Sequence, residues 1–425
     1  MLKRLRWFLL ATCLILAVSG CFPGRAAPER TVAAGATHSL VLTEDGEVYA
    51  FGSNEGGQLG LGDDVDRNTP TLIQGLENVV AVAAGGLHSL ALTAKGEVYA
   101  FGWNEYGQLG LGDNVDRYTP TRVEGLRNVV AVAAGGSHSL VVTKKGEVFA
   151  FGGGSRGQLG LGDNADRNTP TRIESLAGVK AVAAGFAHNL VLLENGELYA
   201  FGWGEQGQLG IWGAALSDLQ DADAARAARE AWMAEVDGKR AYRNAPVRIE
   251  GLARVRAIAA GGVHSLVLLE NGDVYSFGRN EQGQLGQTQG VYGPNESCPV
   301  PLKIGGMAPE GGGNFVALPP VRAVAAGPFH TLLLLEDGTV LSCGQNKGQL
   351  GLVELYYDVE PFLQRAYIEG RSKAVAAGWA HSLVLKEGGD IYAFGVNELG
   401  QLGLGDNDDR FIPTLIESLS GDAGD

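Results

Sequence analysis

"AVAAGGLHSLALTAKGEVYAFGWNEYGQLGLGDNVDRYTP", residues 81–120, holds a histidine, an acidic loop and many glycines. Taken alone, it invites an active-site role for His88. The chain on either side argues otherwise. Seven histidines, His38, His88, His138, His188, His264, His330 and His381, lie 50, 50, 50, 76, 66 and 51 residues apart. Each opens an apolar run such as "HSLVLTEDGEVYAFG" (38–52) or "HTLLLLEDGTVLSCG" (330–344), followed by a variable stretch and "GQLG". Seven copies of one unit therefore fill residues 31–419. Units repeated at this period bury their apolar faces only against neighbouring copies. A side chain present once per unit does the unit's work, which lowers the case for His88 as a catalyst.

Each unit reads as strands. Val79–Ala84, His88–Thr93 and Glu97–Phe101 are short runs rich in aliphatic residues. Pairs such as Asp45-Gly46 and Asn195-Gly196 join the second run to the third, and they tolerate the positive φ of tight hairpins. A fourth run follows the acidic loop: "PTRVE" (120–124), "PTRIE" (170–174), "PVRIE" (246–250) and "PTLIE" (413–417). Its leading proline suits an edge position, where no ladder donor is missed. Four short antiparallel strands repeated seven times predict an all-β, seven-bladed β-propeller with one helical insertion. An open β-solenoid competes, but its turns are usually shorter.

The pattern "AAGxxHSLxLxxxGxVYAFGxNxxGQLGLGD" resembles the repeat of the regulator of chromosome condensation family, and the match covers all seven units. Kelch repeats have a similar period, but their paired-glycine and Trp/Tyr pattern does not fit. The sixth unit departs locally, with Ser342-Cys343-Gly344 for Ala-Phe-Gly and no "GLGD" after Gly351. The resemblance implies a propeller. It also implies the activities of the family's namesake, guanine nucleotide exchange on a small GTPase and docking on chromatin.

The N-terminus has a different grammar. Lys3, Arg4 and Arg6 precede an apolar stretch from Trp7 to Val18 and then Ser19-Gly20-Cys21, the layout of a signal peptide over residues 1–20. That stretch is short for a membrane span. "VSGC" resembles the bacterial lipoprotein box, which implies Cys21 as the lipidated first residue of an exported, envelope-anchored chain. Residues 21–30 would be its tether; cleavage near Ala26-Ala27, giving a soluble secreted or periplasmic protein, and an uncleaved anchor are the alternatives. The net charge of −15 becomes −18 once the three leader cations are removed. Such a surface repels phosphate polyanions, so nucleic acid is not expected as a partner. Export and acidity also weigh against exchange activity and chromatin docking. Apart from Cys13 and Cys21 of the export signal, only Cys298 and Cys343 remain; two unpaired thiols are expected, with a disulfide as the alternative.

Chain direction places the loops. If the first strand rises to Gly85 and the second descends from His88, the "G-x-x-H" turn and the "FG-x-x-x-x-GQLG" loop emerge together. These segments vary most between units: "WNEY" (103–106), "GGSR" (153–156), "WGEQ" (203–206), "RNEQ" (279–282) and "VNEL" (396–399). A constant scaffold presenting variable loops is a common form of binding site, and Trp, Tyr and Arg are frequent anchors. The partner-binding candidates are Trp103, Asn104, Tyr106, Arg156, Phe186, Trp203, Arg279, Phe329 and Trp379. The alternative is that Trp103 or Trp203 simply covers a blade edge. The histidines, one per unit, cannot converge on one metal, and each is expected to bond backbone groups of its turn. The acidic loops at 62–67, 112–117, 162–167 and 405–410 lack the ligand series of a calcium loop and read as turns closed by Arg67, Arg117, Arg167 and Arg410. No phosphate loop, nucleophile elbow, zinc helix or Cys-x-x-Cys occurs, so no catalytic residue, metal or cofactor is assigned.

The two long histidine spacings hold insertions. Residues 211–245 are alanine-rich and helix-forming, with Ser217 and Gln220 as a capping box, Gly238 as a stop, and Trp232, Met233 and Val236 as an apolar stripe. Residues 304–320 read as a mobile loop on the opposite face. Because no "VAVAAG" follows residue 419, residues 413–417 are expected to complete the first blade beside 31–35, with 420–425 as a tail. The leading function is a non-enzymatic, envelope-anchored scaffold that binds a protein or other macromolecule. It is taken as a monomer touching the membrane only through its lipid. Exchange-factor activity, inhibition of a secreted enzyme (as in secreted relatives of this fold), and an enzyme with an axial pocket are the alternatives.

Overall fold

Lys95-Gly96 reverses the chain in two residues because Gly96 holds φ at +76°, which places Val98–Gly102 antiparallel to His88–Thr93. The computed structural model describes residues 28–212, 222–236, 241–286, 296–307, 315–316, 318–352 and 358–420. Within them this hairpin recurs once per unit. With a strand on either side, it makes seven four-stranded antiparallel sheets, each in simple sequential order. In the second blade the order runs from Val79–Ala84, nearest the axis, through His88–Thr93 and Val98–Gly102 to Arg117–Arg122 at the rim. The rim strand begins three residues earlier than the proline-led run predicted. Its register with the third strand shifts between Ala100 and Gly102, so Pro120 stands where the ladder is already interrupted.

The apolar core lies between blades. Phe51, Phe101, Phe151, Phe201, Phe277 and Phe394 are wholly buried. Each packs into the preceding blade, as Phe151 does against Leu90, Leu92 and Leu109. In the sixth blade Cys343 fills that position, and burial pushes its thiol pKa up. Cys298 is also buried, and the two cysteines form no disulfide with each other.

A second set of contacts stitches the blades together. His38 Nε2 lies 2.9 Å from Ser89 Oγ of the next blade, and the same contact runs from His88 to Ser139 and from His138 to Asn189. It continues through His188–Ser265, His264–Thr331 and His330–Ser382, and His381–Ser39 closes the circle at 3.0 Å. The sequence predicted backbone partners from each histidine's own turn; the partner is instead a side chain of the neighbouring blade. Each Ser or Thr hydroxyl already donates to a glutamine carbonyl, as Ser89 does to Gln58 at 2.8 Å. It can therefore only accept from the imidazole, which fixes the proton on Nε2. Every Nδ1 is buried without a hydrogen-bond partner among the described residues. A charged imidazole would have to bury an unmatched donor there, and burial accordingly lowers the His38 and His264 pKa values to about 3.

Closure differs from the sequence expectation. Arg410–Leu415 pairs with Ile391–Gly395 and completes the seventh blade, while Thr31–Leu72 supplies all four strands of the first. Each unit owns four strands, so no strand needs to be borrowed. The first and last blades meet through the His381–Ser39 bond and through a shared core of Val32, Val41 and Phe51 with Leu383, Ile416 and Leu419.

The first insertion interrupts the fourth blade between its third and fourth strands and carries α1, Ala222–Val236. Trp232 is buried beside Trp212, ring centroids 6.4 Å apart, but Met233 is half exposed and belongs to no packed stripe. The predicted cap at Ser217 and Gln220 and the stop at Gly238 lie outside the described residues. The second insertion follows the fifth blade's rim strand and carries a two-residue ladder, Gly306–Met307 with Phe315–Val316, where the sequence suggested only a loop. The leader, Cys21, most of the tether and residues 421–425 lie outside the described residues.

Candidate functional site

Three backbone bonds per unit decide what the axial end presents. The glycine after each inner strand donates to the carbonyl of its own histidine, as Gly85 does to His88 at 2.9 Å. The first residue of the next loop donates back to the turn, as Trp103 does to Leu87 and Trp203 to Ala187, both at 2.8 Å. The two variable segments are thus bound to each other and open on the same end of the ring. The third bond links blades: Ala36 to Gly85, Gly86 to Gly135, Gly136 to Gly185, Phe186 to Gly261 and Gly262 to Gly327. The glycine that ends each inner strand is required by these approaches; a Cβ on Gly85 would lie 2.6 Å from the Gly135 oxygen and 2.5 Å from the His88 ring.

The circuit fails in one sector. Pro328 has no N–H to give the seventh blade, and Trp379 N–H reaches Ala36 oxygen instead of the glycine before it. The large side chains gather over this sector. Phe329 and Trp379 stand with ring centroids 6.4 Å apart, and Trp379 lies equally far from Phe186, which comes from the fourth blade across the ring. Both contacts are edge-on. Phe186 and Trp379 nevertheless keep 43 % and 42 % of their surface exposed. Beneath them lies an axial cavity of about 260 Å3 walled by the Ala-Ala-Gly ends of the inner strands. Arg156 and Trp203 complete its mouth, the guanidinium carbon 4.7 Å from the indole centroid.

Of the sequence candidates, Arg156, Phe186, Trp203, Phe329 and Trp379 converge on this cavity. Trp103 and Tyr106 form a separate edge-to-face pair, centroids 5.3 Å apart, outside the cavity lining. Arg279 also lies outside it, ion-paired to Glu281. Asn104 is a correction. It is wholly buried; its amide oxygen accepts from Leu109 N–H at 2.9 Å and its amide nitrogen donates to the Asp113 and Val115 carbonyls. It shapes its loop and offers nothing at the surface. Asp113 in turn clasps Arg117 at 2.6 Å; the Val115 N–H and Arg117 hold its carboxyl below the usual carboxylate range. Arg67–Asp63, Arg167–Asp163 and Arg410–Asp406 repeat the clasp, so these acidic loops are built as closed turns. Val263, Pro328 and the Ala-Ala-Gly wall were missed. The available signal was the small-residue run that ends every inner strand.

Comparison with known proteins agrees with this geometry. A family model described as the RCC1-like domain matches residues 23–228. The regulator of chromosome condensation (RCC1) repeat matches 195–268, 271–334 and 388–423. The Arabidopsis thaliana ultraviolet-B receptor UVR8 is 37% identical over 180 residues, 41% of this chain and 37% of that protein. The human probable E3 ubiquitin-protein ligase HERC4 is 41% identical over 214 residues, 39% of this chain and 19% of that one. The chain thus spans less than two fifths of either relative's length. Among solved structures, Saccharomyces cerevisiae Prp20p, studied for binding to Gsp1p and histones, aligns with a TM-score of 0.69 at 25% identity. The alignment covers 89% of this chain and 86% of that one.

Proposed function

Because the chain belongs to the regulator of chromosome condensation (RCC1) repeat family, we propose that it is a non-enzymatic propeller scaffold that binds a protein partner through its axial end, held at the cell envelope by a lipid on Cys21. One observation carries the binding surface: Arg156, Phe186, Trp203, Phe329 and Trp379, from four different blades, converge on the axial cavity. Aromatic and arginine side chains with half-exposed faces are the usual anchors of a protein interface. The seven histidines, by contrast, are spent on the scaffold. Relatives named for protein ligation share under a fifth of their length with this chain, so that activity does not transfer with the repeat.

Crosslinking in native envelopes, followed by recovery of the chain, tests the surface. A Phe186→Ala/Trp203→Ala/Trp379→Ala variant is expected to lose the adducts of the native chain; equal recovery overturns the axial end as the contact. A Cys21→Ala chain should leave the membrane fraction, and unchanged fractionation removes the lipid anchor. The likeness to Prp20p over most of its length favours exchange-factor activity as a second reading. Accelerated guanine nucleotide release from a small GTPase would establish it, and no acceleration would discard it.

A further inference from the structure

The axial cavity differs from a general sticky surface in its polar supply. The N–H of the glycine that ends each inner strand is spent on a histidine carbonyl, from Gly35 with His38 to Gly378 with His381. The following N–H groups are spent between blades, except at Pro328, which has none. The wall side chains are otherwise alanine, valine, proline and aromatic rings. One charged group lines the cavity, Arg156. Five other arginines beside the loops between third and fourth strands are answered by a carboxylate: Arg67 by Asp63, Arg117 by Asp113, Arg167 by Asp163, Arg410 by Asp406 and Arg279 by Glu281. Arg156 has no carboxylate partner among the described residues; its guanidinium lies over Trp203, and its backbone N–H bonds Gln158 Oε1 at 2.8 Å. Stacking occupies a guanidinium's face and leaves its in-plane N–H fork available, a fork that matches a carboxylate.

Given the axial end as the partner surface, we propose that this cavity receives a single carboxylate borne on an aromatic or similarly apolar stem, presented by the partner protein. Arg156 takes the anion, while Phe186, Phe329 and Trp379 cover the stem. The N–H groups of the wall backbone are already spent, so the stem that lies against it is expected to be apolar. The volume, about 260 Å3, is just below the ~300–1,000 Å3 of sites for free drug-sized ligands. It suits one ring-bearing residue, such as an aromatic chain end or an acidic side chain beside a phenyl ring. The net charge of −15 makes one unanswered cation in an apolar mouth the local exception, and it disfavours a second anion nearby.

The test uses the full chain and three probes sharing one stem: 4-phenylbutyrate, its amide and 4-phenylbutylamine, titrated by calorimetry. The acid is expected to bind one-to-one and at least tenfold more tightly than the amide, with the amine weakest. Arg156→Gln should bring acid and amide to about equal affinity, whereas Arg127→Gln, on the opposite face, should leave the preference intact. Trp379→Ala should weaken all three. Equal binding of acid and amide to the native chain, or no saturable binding, overturns the proposal. The amine binding most tightly would also overturn it, because the aromatic rings would then form a cation cage. Displacement of envelope crosslinks by the acid would support the partner as the carboxylate's source; undiminished crosslinks in the presence of bound acid would refute that source. Loss of crosslinks in the aromatic triple variant together with indifference to acid versus amide would leave the partner surface standing and remove only the carboxylate.

Discussion

The histidine belt and the axial mouth lie two residues apart in the chain and behave as opposites. In "Gly185-Phe186-Ala187-His188", Phe186 is 43 % exposed and His188 is wholly buried. At the phenylalanine's place the other units carry Ala36, Gly86, Gly136, Gly262, Pro328 and Trp379, whereas the imidazole recurs unchanged. The belt uses each side chain between adjacent blades, where every unit faces the same neighbour. The mouth lies on the axis, where side chains from all blades meet and seven bulky copies would collide. Repetition therefore marks groups that build the ring, and irregularity marks the place where it can recognise something.

Acid should divide the two regions most sharply. Buried histidines titrate at about 3 to 4 in the folded chain, as His188 and His381 do, against about 6.5 unfolded. Between those values the unfolded chain binds more protons, so stability falls as pH falls, by up to about 1.4 kcal/mol per pH unit for each histidine. Seven together outrun the ~5–15 kcal/mol of a typical fold within one or two units. Denaturant midpoints should be level above about pH 7.5 and collapse between pH 6 and 4; a level profile down to pH 4.5 would break the neutral-belt assignment.

Single changes come next. His188→Ala removes the bond to Ser265 and opens a void between the fourth and fifth blades, costing about 2–4 kcal/mol in equilibrium unfolding. Phe186→Ala or Trp379→Ala should cost less than about 1 kcal/mol while altering binding, because both side chains are over two fifths exposed. If either destabilises as much as His188→Ala, the mouth is scaffold after all. The smallest effect belongs to the rim. Arg117→Ala breaks a partly exposed clasp with Asp113 and should shift stability by about 0.5 kcal/mol, diminishing in high salt.

The strand pattern, the hairpin turns and the number of blades were legible in the residues alone. Those follow from local rules: alternation, Asp-Gly and Asn-Gly pairs, and a histidine recurring at fixed distance. The sequence also placed Arg156, Phe186, Trp203, Phe329 and Trp379 on one end, since chain direction alone sets which turns share a side. Three-dimensional packing settled that Asn104 is spent inside its loop, that the imidazoles bond across blades, and that Arg410–Leu415 finishes the last blade instead of the first. It alone brought Phe186 and Trp379 within 6.4 Å across the axis. A repeat specifies its own hydrogen bonds within a few residues, but which distant copies touch depends on how the ring curves shut.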